Sequence, residues 1–73
     1  MAFDFSKLRG RIVEKFGTCE AFAAAMGKSK GWISLRLNNT VQWQSSEMME
    51  AAALLDIPAV EIPVFFLTPK FDK

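Results

Sequence analysis

Histidine and tyrosine are absent from this 73-residue chain, and cysteine occurs once, at Cys19. A single cysteine excludes an intramolecular disulfide. With no histidine to activate it or share a metal, it makes neither a nucleophile nor a zinc site. Cys19 therefore reads as an incidental small residue, and a fold held by packing alone suits a reducing cytoplasm. No apolar run approaches the 18 or so residues of a membrane span; the longest candidate, Ala51 to Leu55, stops at Asp56. The start, Met1-Ala2-Phe3-Asp4-Phe5-Ser6-Lys7, has an acid where a signal peptide needs its apolar stretch. Also missing are a phosphate-cradling glycine loop and a carboxylate pair placed for acid–base work. These absences point away from an enzyme, and away from any metal, cofactor, small-molecule substrate or membrane partner.

What is present suffices for one small domain spanning residues 1–73. Hydrophobic residues make up 51% of the chain, with seven Phe, two Trp and four Met. That is too apolar for intrinsic disorder. A chain this short still buries only roughly 60% of the surface its unfolded form exposes, so its stability margin is thin. The net charge of +1 is a weak argument against a nucleic-acid binder, but its distribution is lopsided. Residues 1–38 hold seven bases (Lys7, Arg9, Arg11, Lys15, Lys28, Lys30, Arg36) against three acids, a balance of +4. Residues 39–73 hold two bases against five acids, a balance of −3. Such a split creates one attractive and one repulsive face toward a polyanion, unless it is scatter in a small chain.

The pattern along the chain is helical. Phe5, Leu8, Ile12 and Phe16 recur at spacings of three and four, one face of a helix that Asp4 or Ser6 can cap and Gly17 ends. Gly10 lies mid-helix, at a cost of about 1 kcal/mol relative to Ala, which close packing by another element would explain. Lys7, Arg11 and Lys15 form a basic stripe on this helix, read as a solvated face first and a backbone contact second. Thr18 caps a short second helix with Glu20 in its first turn, and Gly27 stops it. Ser29 caps a third, which carries Ile33 and Leu37 on one face and ends at Asn38-Asn39. A fourth begins near residues 44–46 and turns Met48, Ala51, Ala52 and Leu55 inward. A short fifth, around Ala59 to Ile62, is limited by Pro63. The tail 63–73 begins with Val64-Phe65-Phe66-Leu67, a last turn or a strand. Trp43, Phe65, Phe66 and Phe71 read as core or interface residues.

Two short helices meeting at Gly27 are the centre of the functional reading. Gly27 permits a positive φ in a minimal turn, Ala23 four residues earlier allows close helix approach, and Ile33 six later anchors the next helix. The segment Phe22-Ala23, Met26-Gly27, Ser29 and Ile33-Ser34, followed by the Leu55 and Ile57 pair, resembles the phage repressor and Cro-like helix-turn-helix family over most of residues 5–67. The sequence departs from the family at Lys28, where an apolar residue is usual, and at Arg36, where a core residue is common. The resemblance implies an all-α fold, a compact five-helix lambda-repressor-like bundle with a central helix-turn-helix at about 18–38 and a C-terminal tail that is helical or extended. It implies a transcriptional regulator whose third helix enters the major groove of double-stranded DNA. Base-edge contact then falls to Ser29, Lys30, Gly31, Ser34 and Leu35, and backbone contact to Thr18, Cys19, Lys28, Asn39 and Thr40.

Two functional classes remain open on the residues. In the first, a homodimer presents two recognition helices about 34 Å apart, with the tail Val64-Phe65-Phe66 as the pairing element or else as closure of the monomer core. In the second, the same fold is a protein-binding module of antirepressor type that acts on another repressor. The near-neutral charge, Gly31 in the reading helix and a patch of Trp32 and Leu35 favour it. Trp32 and Arg36, four residues apart, are placed to stack on each other.

Overall fold

The computed structural model describes residues 2–70. Five α-helices follow one another: α1 (Ser6–Phe16), α2 (Cys19–Ala25), α3 (Lys30–Leu37), α4 (Ser45–Leu54) and α5 (Ile62–Phe66), the last preceded by a 3-10 turn at Ala59–Glu61. No β-strand occurs among the described residues. The all-α bundle expected from the periodicity is what forms.

The helices converge because each carries one apolar stripe. Leu8 and Ile12 of α1, Phe22 of α2, Ile33 of α3, Leu55 at the end of α4 and Phe66 of α5 are essentially inaccessible to solvent. Phe16 packs on Phe22 at 5.5 Å between ring centres, while Trp32, Trp43 and Phe66 form an edge-to-face series at 5.5 and 5.0 Å. Aromatic pairs at such angles add roughly 0.5–1.5 kcal/mol beyond the area they bury.

The termini of the helices follow the local chemistry. Thr18 Oγ1 accepts from the Ala21 N–H at 3.1 Å and Ser29 Oγ from the Trp32 N–H at 3.2 Å. At α4 the Gln44 N–H donates to Glu47 Oε1 at 2.9 Å. Asp4, one residue before the start of α1, accepts from the Ser6 N–H and hydroxyl; these bonds hold its carboxyl below the ordinary range. Gly27 takes φ +73° between α2 and α3, as the minimal turn requires.

Three expectations change. Pro63 does not end the fifth helix but sits in its first turn, where a missing N–H costs nothing; the helix runs on to Phe66. No element packs on Gly10: a Cβ built there meets nothing within 4 Å. The basic stripe of α1 is not simply solvated. Arg11 donates to the carbonyls of Leu55 and Asp56 at 2.7 and 3.3 Å, and Lys15 pairs with the Asp56 carboxylate at 2.7 Å. Two cations of α1 thus close the carbonyl end of α4, the end its dipole makes negative. The hydrogen bond and charge of Lys15 hold the Asp56 carboxyl below its usual range.

The two ends of the described chain meet. The Asp4 N–H donates to the Thr68 carbonyl at 2.8 Å, and the Lys70 N–H to the Ala2 carbonyl at 3.0 Å, around an antiparallel bridge of Phe3 and Pro69. The tail after α5 is therefore extended, as one of the two sequence readings had it, while Val64 to Phe66 are helical.

Candidate interaction surface

The pair α2 and α3 is built outward from Ala23, Ile33 and Leu37, all buried. With those residues inward, Lys30, Gly31, Ser34 and Leu35 lie in solvent on the outer side of α3. Leu35 keeps 43% of its surface exposed. The loop after α3 folds back, so that the Thr40 and Val41 N–H groups donate to the Leu35 carbonyl at 2.9 and 3.1 Å. Val41 is likewise exposed. Gly31 has no steric duty in the fold, since a Cβ there would meet only Ser29 Oγ at 3.9 Å.

The side of α3 facing α4 carries a feature the sequence reading missed. Arg36, nearly buried, donates through Nε and Nη2 to the two carboxylate oxygens of Glu47, each at 3.1 Å. Its guanidinium also lies 4.3 Å from the Trp32 ring centre, the stacking expected from their spacing. Lys28 reaches the same ring at 5.8 Å. Burial pushes the Glu47 carboxyl up, but the Arg36 bonds, the Gln44 N–H and the charges of Arg36 and Lys28 together hold it below its ordinary value. The only signal in the sequence was a base at a core position of α3, eleven residues before an acid in the first turn of α4.

The residues expected to touch DNA are distributed unevenly. Ser29, Lys30, Gly31, Ser34 and Leu35 do share one exposed surface. Ser29 and Thr18 spend their oxygens as caps, and Ser34 Oγ accepts from Asn38 Nδ2 at 3.3 Å. Cys19 is partly buried against the core. Lys28 and Thr40 are exposed. Asn39, expected at the phosphate backbone, is engaged internally: its Oδ1 accepts from the Phe3 N–H at 2.9 Å and its Nδ2 donates to the Phe3 carbonyl at 3.0 Å. It takes φ +63°, which its position after α3 requires and asparagine tolerates.

The tail gives a clear correction. Phe65 and Phe66 are core residues, Phe66 against Trp43 and Phe65 beneath the Arg11 guanidinium at 5.1 Å. Of the proposed interface trio only Val64 faces solvent. The tail closes the monomer over α1, because two phenylalanines on so short a helix have nowhere drier to go. Phe71 lies outside the described residues. Among those residues there is no cluster of side chains suited to a metal ion, and no helix is long and apolar enough to cross a membrane.

No curated protein matches the chain. Among solved structures, the solution structure of the modulator of repression of the temperate bacteriophage TP901-1 from Lactococcus lactis is similar. It shares 42% sequence identity, covers 90% of this chain and 89% of its own, and superposes with a TM-score of 0.81. Residues 1–69 match the family described as "Protein of unknown function (DUF739)", and the chain belongs to that family.

Proposed function

We infer that this chain is a phage modulator of repression that works by contacting another regulatory protein through the outer face of α3, without catalysis. The observation that carries the reading is how the basic residues are used. Arg36 is bound to Glu47, Arg11 to Glu14 and the end of α4, and Lys15 to Asp56. A phosphate-clamping surface needs its cations turned outward. Here the reading helix instead offers Gly31, Ser34 and Leu35, with exposed Val41 behind them. A flat, partly apolar strip of this kind suits a protein surface, and a glycine without a fold requirement leaves room for a partner backbone to approach. The similarity to a named modulator of repression agrees with it.

The second reading is DNA binding by a dimer in the manner of the Cro-like family. The geometry of the turn at Gly27 and the exposed Lys30 favour it. The two readings separate in one set of titrations with the repressor encoded in the same genome and with duplex DNA. The protein-binding reading expects a complex with the repressor that persists as salt rises, and that Leu35→Glu weakens without altering the fold. A shift of duplex DNA by the chain alone, with log affinity falling linearly in log salt, and no repressor complex, would refute it.

A further inference from the structure

A cavity of about 380 Å³ opens where the N-terminal segment, the start of α1, the end of α3 and Lys70 meet. It is separate from the Gly31–Leu35 strip, and nothing in the preceding reading uses it. Phe3, Phe5 and Leu37 supply its apolar wall, and Arg9, Asn38, Lys70 and Asp4 its polar groups.

The charges are unequal in their freedom. Asp4 is occupied by the Ser6 N–H and hydroxyl. Arg9 makes one long contact among the described residues, from Nη2 to Asn38 Oδ1 at 3.4 Å, and enters no ion pair there. Most of its N–H donors are left for a ligand. That contact also steadies the guanidinium plane, and the pairing of Phe3 with Asn39 and Pro69 steadies the opposite wall.

Arg9 and Lys70 against Asp4 leave a surplus of one positive charge, which matches a single carboxylate better than a doubly charged phosphate. The planar fork of arginine suits a carboxylate in two-point contact. The volume corresponds to roughly a dozen waters at about 30 Å³ each, more than a bare ion needs. The apolar wall favours an acid carried on an aliphatic stem. Resting on the protein-binding reading above, we propose that this cavity receives an acidic side chain of the partner protein, its carboxylate seated on Arg9.

The test is a titration of the full chain, followed by nitrogen-resolved NMR, with a blocked Leu-Glu-Leu tripeptide, its Leu-Gln-Leu counterpart, inorganic phosphate and duplex DNA. The proposal expects saturable shifts of the Arg9 Nε–H and the Asn38 and Asn39 side-chain amides with the Glu peptide. It expects binding at least roughly tenfold weaker with the Gln peptide and with Arg9→Gln or Lys70→Gln protein, because the charge-assisted contact is gone. Leu35→Glu protein should bind the Glu peptide unchanged. Equal response to both peptides, or tighter saturation by phosphate or DNA, overturns the proposal. If the repressor complex forms and Arg9→Gln leaves its affinity unaltered, the cavity proposal fails while the α3 reading stands.

Discussion

The same substitution at two glycines should move stability in opposite directions. Gly10 lies in the middle of α1 and is exposed, and a methyl group there would meet no atom within 4 Å. Alanine at this position gains helix propensity and loses unfolded-chain freedom, for a stabilisation of about 1 kcal/mol. In a domain of this size each kcal/mol corresponds to a rise in Tm of roughly 4–8 °C. Gly27 also has open space around its missing Cβ, but its φ is +73°. The whole penalty of Gly27→Ala is therefore backbone strain of about 1–2 kcal/mol, offset in part by the unfolded-state term, for a net loss of about 1 kcal/mol. Thermal and urea unfolding followed by circular dichroism read both variants directly. A Gly10→Ala protein no more stable than wild type would mean that something contacts α1 there, a second copy for instance. A neutral Gly27→Ala would mean that the turn between α2 and α3 is not left-handed, and the placement of α3 would fall with it.

The remaining predictions follow from the other fixed points. Glu47→Ala leaves Arg36 without its partner, the side chains being 11% and 14% exposed, and should cost about 3 kcal/mol; the double variant Arg36→Met/Glu47→Leu should recover most of it in urea unfolding. Because the folded Glu47 carboxyl titrates below its unfolded value, the stability it confers is present above the unfolded pKa of about 4.3 and lost as pH falls through the folded value. The gap between wild type and Glu47→Ala should thus narrow below about pH 4. Asn39→Ala removes two hydrogen bonds to Phe3 and should cost about 1–2 kcal/mol, with faster hydrogen exchange at the Asp4 and Lys70 N–H groups. Phe66→Ala, at a site with 1% exposure, should cost about 3–5 kcal/mol, enough to unfold much of the population of so small a domain.

The similarity to a phage modulator of repression is compatible with a helix-turn-helix fold because a fold does not fix a function. The α2–α3 pair presents a probe helix whatever its target. The target is selected by the outward residues of α3 and by whether the surrounding cations face solvent.

Local chemistry alone decided much of this protein. Short-range periodicity, the Thr18 and Ser29 caps, Gly27 and the buried stripe of Phe5, Leu8 and Ile12 each act within a few residues, so the helices and their inward faces were legible in the chain. Tertiary structure decided the rest. Arg36 finds Glu47 eleven residues away, Arg11 and Lys15 find the end of α4 more than forty away, and Asn39 finds Phe3 thirty-six away. The assignment of Phe65 and Phe66 to the core, over an interface, depended on where α5 came to lie on α1. Charge and hydrogen-bonding groups act at a distance set by the folded geometry, not by sequence spacing. Which bases are free to meet a partner therefore becomes known only once the chain has closed on itself.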